Sequence, residues 1–302
     1  MTAGSRAPGG AESAVYPATL QEEVEAYLAG LEFATVPGTR GLDEAMRYSL
    51  LAGGKRVRPV LALATAEAVS RPPAEVMPLA AALELVHTYS LIHDDLPAMD
   101  DDELRRGRPT CHVAFGEGVA ILAGDGLFAE ALRILLERQA GEPPHVLAAA
   151  RELVTAAGVD GMVGGQFLDI TGDAQTDGES LRRLHALKTG RLIGASVECV
   201  LLLGGLLEAE TAPYRRFAHE LGVLFQIVDD ILDVTGEERA IGKPSGSDER
   251  HGKATYVSVF GLDRARELAA ESHAGARAAL ADAGGRTAKL EQVADYILTR
   301  RR

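Results

Sequence analysis

Tryptophan is absent from this chain, and aromatic residues make up only 5% of it. Strands draw on β-branched and aromatic residues, whereas the alanine and leucine that dominate here are the best helix formers. Cysteine is almost as scarce. Cys111 and Cys199 stand alone, without metal-ligand spacing, so there is no disulfide framework and a reducing, cytoplasmic setting fits. Long apolar runs are missing too: Val197 to Leu207 is too short and too interrupted by glycine to span a bilayer. Residues 1–15 are rich in Gly, Pro and Ala but lack the apolar core of a signal peptide, and are read as a disordered leader. Positive charge is in deficit, with 31 Lys and Arg against 44 Asp and Glu. A net charge of −13 argues against a general nucleic-acid or acidic-membrane binder.

What is present is helical periodicity. Leu20, Val24, Leu28 and Leu31 mark an amphipathic first helix. Further helices are expected near 42–52, 59–70, 75–95, 118–139, 144–160, 179–206, 211–235, 253–283 and 286–301. Breakers separate them at Gly53-Gly54, Pro72-Pro73, Gly141 with Pro143-Pro144, Gly164-Gly165 and Gly242 through Gly246. No alternating strand pattern competes. With no linker or repeat in 16–302, the expected fold is one all-α domain, a bundle of about ten or more helices around a central cavity.

Two stretches depart from ordinary surface helices. From Leu221 to Val234 nearly every residue is apolar except Gln226, Asp229, Asp230 and Asp233, which fall at i, i+3, i+4 and i+7. They form one polar stripe on a helix otherwise suited to burial. From Leu79 to Asp95 the pattern recurs, with Glu84, His87, Ser90 and Asp94 on one face. Buried carboxylates repel one another and hold their protons. A hard divalent cation removes that penalty, and Mg²⁺ takes few protein carboxylates together with water and phosphate oxygens. In DDLPAMD, Asp94 and Asp100 do not align on a regular helix, so the chain is expected to end its helix before Pro97 and bring Asp100 back toward Asp94. The expected metal ligands are Asp94, Asp100, Asp229 and Asp233, with Asp95 a ligand or an orienting group. Basic clusters at Lys55-Arg56…Arg58 and Arg105-Arg106…Arg108 suggest specific anion sites.

The chain resembles the short-chain trans-prenyl diphosphate synthases, the farnesyl and geranylgeranyl diphosphate synthase family. The likeness rests on GGKRVRP at Gly53–Pro59, LVHTYSLIHDDLPAMDDDELRRGRPT at Leu85–Thr110, GMVGGQ at Gly161–Gln166, and KTG at Lys188–Gly190. It continues in FQIVDDILD at Phe225–Asp233 and GK…GSD…GKATY from Gly242 to Tyr256. The resemblance implies an isoprenoid synthase fold, a homodimer, and Mg²⁺ at three ions per site with substrate bound, with Mn²⁺ as a substitute. It places Lys55, Arg58, His87 and Arg106 on the diphosphate of isopentenyl diphosphate. Arg105, Lys188, Thr189, Gln226, Lys243 and Lys253 close around an allylic diphosphate, dimethylallyl or geranyl.

The implied reaction is ionisation of the allylic diphosphate, attack by the isopentenyl double bond and loss of a proton to the released diphosphate. Tyr89 and Ser90, five and four residues before Asp94, are expected to set product length. The bulk of Tyr89 favours farnesyl diphosphate, and the small Ser90 leaves geranylgeranyl diphosphate as the alternative. A class I terpene synthase would not need the intact GGKRVRP and DDILD motifs, and a non-catalytic partner subunit would have eroded aspartate motifs.

Overall fold

The computed structural model describes residues 15–172, 178–235 and 253–300. Most of the leader read at 1–15 and the segment containing Lys243 lie outside those residues. Along the chain, α1 spans Ala18–Ala29, α2 Arg40–Leu50, α3 Val57–Ala68 and α4 Met77–Asp94, the last after a 3₁₀ turn at Pro73–Val76. A short α5, Cys111–Phe115, leads into α6 (Glu117–Arg138), α7 (Pro143–Ala157) and α8 (Met162–Thr171). Then come α9 (Gly178–His185), a π-helical turn at Ala186–Gly190, α10 (Arg191–Gly204) and α11 (Glu208–Thr235). After the segment that is not described, α12 (Tyr256–Phe260), α13 (Leu262–Asp282) and α14 (Ala288–Thr299) complete the all-α bundle.

Helix α4 lies at its centre because its sequence is apolar on most sides. Leu79 through Val86 are all buried, and α3, α6 and α10 pack around them. The core cluster is continuous from Leu20 on α1 to Ile297 on α14. Where apolar packing is interrupted, charges are matched. Arg56 stands at the start of α3 in a left-handed conformation, φ 53°, with its side chain fully buried. Its guanidinium reaches Glu84 of α4 at 2.6 Å and Glu25 of α1 at 2.7 Å, and donates to the Leu50 carbonyl at 2.7 Å. Glu84 is thus not a cavity residue, as its place on the Asp94 face suggested, but the anchor for the loop that carries Lys55 and for the start of α3, which carries Arg58.

Three expectations from the pattern change. Gly164-Gly165 do not break the chain, since α8 runs through both. A Cβ on Gly165 would lie 2.2 Å from the Lys188 amide nitrogen, so this glycine permits close approach of α8 to the π-helical turn. The helix expected over 253–283 starts at Tyr256 and divides at Gly261. A two-residue hairpin also appears, β1 Leu104–Arg105 against β2 Arg108–Pro109. Its turn residues Arg106 and Gly107 both have positive φ, 55° and 73°, as a tight primed turn requires.

Candidate active site

A cavity of about 540 Å³ opens between α4, α8, the π-helical turn and α11. Asp94, the last residue of α4, and Asp229, near the C-terminal end of α11, both line it. Beyond Asp94 the chain turns back, with the Asp100 amide donating to the Asp94 carbonyl at 2.9 Å. This is the bend anticipated at Pro97. Asp95 points the other way, buried, and holds Arg105 through contacts of 2.6 and 2.7 Å. That pairing favours the orienting role, with Arg105 itself lining the cavity.

The stripe on α11 fans out instead of facing one space. At about 100° per residue, Asp229 and Asp230 sit at opposite edges of it. Asp229 reaches the cavity. Asp230 is buried and accepts the Tyr256 amide at 2.6 Å and the Gln226 side-chain amide at 2.8 Å. Asp233 is buried and does not line the cavity. Gln226 is occupied at both ends, since its carbonyl also accepts the Thr189 hydroxyl at 2.8 Å. It therefore fixes the π-helical turn to α11.

One end of the cavity is cationic, lined by Arg58, Arg105, Arg106 and His87. Arg106 donates to the Gly53 carbonyl and packs its guanidinium against Gly54, which locks the hairpin onto the glycine loop. Arg58 is 8% exposed, and its Nε is buried without a partner among the described residues. Burial, and then the neighbouring Arg106 and Arg300, lowers its pKa to about 10 despite the opposing pull of Glu84 and Asp229. Burial first, then Arg58 and Arg106, pushes His87 well below the usual histidine range. The imidazole is neutral here, because burial and the guanidiniums around it disfavour its charge. Lys55 stands apart from this lining, with its ammonium 5.4 Å over the Tyr296 ring.

At the other side the charges are bridged. Asp169 of α8 meets Lys188 at 2.5 Å and lies 3.7 Å from Lys253, while Lys253 reaches Asp100 at 2.8 Å. Three expected residues are thus joined by one that sequence reasoning passed over. The signal was available: Asp169 is the one carboxylate in the apolar MVGGQFLDIT segment. Gln166, one turn earlier, also lines the cavity, with both amide atoms buried and without partners among the described residues. Arg300, just past α14, bonds Asp229 at 2.7 Å and lies 4.3 Å over the Phe225 ring. Its position at the C-terminal end gave no pattern to read.

The arrangement fits a divalent cation bound through its substrate. Among the described residues, no three acidic, histidine or cysteine side chains group as a ready-made cage. Sparse carboxylates on two walls suit an ion that takes its other ligands from phosphate and water. Asp94 shows the cost of waiting for that charge: burial, helped by Asp100 and opposed by Lys188, raises its pKa to about 6. A folded-state pKa above the unfolded one gives stability that is present below about pH 4 and lost as pH rises through about 6. Without metal, Asp94→Asn is therefore expected to gain stability relative to the unsubstituted chain between pH 5 and 7.5, by about 1–2 kcal/mol. Urea unfolding at both pH values checks this, and an unchanged difference would remove the case for a charge-starved Asp94.

The remaining walls are apolar. Met162, Val163, Phe167 and Ile170 of α8 face Phe225, and Tyr89 and Ser90 come from α4. The Tyr89 ring is braced edge-on by Phe128 at 5.3 Å and His93 at 5.7 Å. Ser90 turns its hydroxyl back to the His87 carbonyl at 2.8 Å.

A family model for polyprenyl synthetases matches residues 39–297. A chloroplastic geranylgeranyl pyrophosphate synthase from Capsicum annuum is 47% identical over 86% of this chain and 71% of its own. A farnesyl diphosphate synthase from Geobacillus stearothermophilus is 46% identical over 87% of this chain and 90% of its own. Among solved structures, a geranyltransferase from Helicobacter pylori complexed with magnesium and isoprenyl diphosphate superposes with a TM-score of 0.82. It is 32% identical and covers 93% of this chain and 94% of its own.

Proposed function

We propose that this chain, which belongs to the polyprenyl synthetase family and is a prenyltransferase, makes farnesyl diphosphate as its main product. The observation that carries the reading is Tyr89, whose ring stands in the cavity wall five residues before Asp94 and is held there by Phe128 and His93. A braced ring cannot swing aside cheaply, because interiors are close-packed. Geranylgeranyl diphosphate is the second reading, favoured by the small Ser90 on the same wall.

Mg²⁺ held by Asp94, Asp100 and Asp229 would neutralise charge on the departing diphosphate. The protein's own cations complete that work. Lys188 and Lys253, already fixed by Asp169 and Asp100, and Arg105, fixed by Asp95, would hold the leaving oxygens in place. Arg58, Arg106 and His87 would bind the diphosphate of isopentenyl diphosphate at the cationic end, and Lys55, which rests over the Tyr296 ring outside that lining, would join them. The neutral His87 offers a hydrogen bond and gains a proton more readily once an anion sits beside it. The allylic C–O bond breaks, the isopentenyl double bond forms the new C–C bond, and the proton leaves to the released diphosphate. Holding both substrates in one cavity supplies much of the rate, and the apolar walls keep water from the cation. Thr189 and Gln226 keep the π-helical turn in register for this. Asp233 is read as support for Asp229 from the buried side of α11.

No helix among the described residues is long and apolar enough to cross a membrane. Ile121 and Leu122 on α6 and Val113 on α5 are 44%, 56% and 51% exposed, and we read this face as the surface a second copy covers. Tyr89→Ala is expected to shift the main product from fifteen carbons to twenty or more, checked by chromatography of dephosphorylated products. An unchanged distribution would sink the assignment of Tyr89 as the floor.

A further inference from the structure

A second cavity, of about 700 Å³, lies across the π-helical turn from the first. Lys188 and Thr189 of that turn line the active-site cavity, whereas Ala186 and Gly190 line the second, and the two share no lining residue. Its size is that of a small-molecule site. The body of the cavity is apolar, made by Val197 of α10 and Ala218 and Val223 of α11. Gly194 leaves it open: a Cβ built there meets nothing within 4 Å.

Its polar groups are unevenly matched. Arg191 is answered by Glu152 at 3.3 Å and Arg215 by Glu198 at 2.7 Å. At the α9 end stand Arg182 and Arg183, both exposed, with Glu179 as the one carboxylate of that helix lining the space. Glu179 has a partner of its own, and Arg182 lies 5.3 Å over the Phe260 ring. Two guanidiniums against one carboxylate leave a positive charge at this end. Deeper in, His185 is 8% exposed, and its Nδ1 is buried without a partner among the described residues. Burial lowers its pKa to about 4, so the ring is neutral and tilts against Tyr256 at 5.4 Å. A buried imidazole nitrogen without a partner is a group that a ligand can satisfy.

We propose that this cavity is a second ligand site, separate from the prenyl-transfer site, that takes an amphipathic anion: a short apolar chain ending in a carboxylate or phosphate. The chain lies along the opening at Gly194, the head meets Arg183, and His185 offers a hydrogen bond within.

Isothermal titration of the full chain with octanoate and with octyl phosphate tests this, in Mg²⁺ and saturating inorganic diphosphate to occupy the prenyl-transfer site. Saturable binding of either anion at one per chain is expected, and which one binds identifies the head group. Octanol and inorganic phosphate should bind at least tenfold more weakly. Arg183→Ala, at an exposed position, should weaken the anion about tenfold. Gly194→Leu fills the cavity from a helix position where leucine is the better helix former, and should abolish binding while prenyl transfer persists. No saturable binding of either anion, octanol binding as tightly, or binding that survives both substitutions would overturn the proposal.

Discussion

Asp94→Asn is expected to lower kcat about a thousandfold while leaving the helical content of the protein unchanged. The amide keeps the shape of the carboxylate and removes its charge. Charge at this position matters because the departing diphosphate is stabilised where it forms, and losing a single stabilising group in such a site costs roughly 10²–10³-fold. Loss of a carboxylate proposed also to help hold Mg²⁺ falls at or beyond the upper end of that range. Asp94 is the carboxylate on which most of this rests, since Asp100 is already paired with Lys253 and Asp229 with Arg300. Steady-state kinetics at saturating Mg²⁺ checks it. A loss below tenfold would mean that ionisation depends on the lysines alone.

The largest effect on stability is expected from Glu84→Gln. It leaves the buried guanidinium of Arg56 with Glu25, whose side chain is 35% exposed, as its remaining carboxylate. Breaking a buried pair costs about 3–5 kcal/mol, and the half-exposed Glu25 places this case near the lower figure. Urea unfolding should show a reduced midpoint, and Arg56→Met combined with Glu84→Met should recover much of the loss, because apolar replacement of both partners removes the uncompensated charge. If the single substitution costs under 1 kcal/mol, Glu25 alone is enough to hold the loop. Arg56 stands between Lys55 and Arg58, at the junction of loop and α3, so a rise in KM for isopentenyl diphosphate should accompany the loss of stability.

Arg56 also shows where the sequence can mislead. Within Lys55-Arg56…Arg58 the three cations look alike, yet one is a structural anchor, one lies over Tyr296 and one faces the cavity. Nothing in local spacing separates them, because their partners Glu25, Glu84 and Tyr296 come from three other helices. The helices were legible wherever apolar periodicity ran unbroken, as in α4 and α11. Gly164-Gly165 misled because glycine reads as a breaker, while here it serves the contact between α8 and the π-helical turn. The bend after Asp94 was legible from Pro97. The division of labour on α11 was not, since it depends on Tyr256 arriving to bind Asp230. Gln166 was passed over for the same reason, since the cavity it lines is visible only in three dimensions. Asp169 did stand out in its apolar segment, but its partners Lys188 and Lys253 are distant in sequence.

The central claim is that this one polypeptide joins isopentenyl units to an allylic starter and stops at fifteen carbons against Tyr89. The most direct measurement is incubation of the purified chain with Mg²⁺, dimethylallyl diphosphate and labelled isopentenyl diphosphate, followed by chromatography of the dephosphorylated products. Farnesol as the main labelled alcohol, absent when Mg²⁺ is chelated, is the expected result. Geranylgeraniol as the main product, or no condensation without a second polypeptide, would contradict the account.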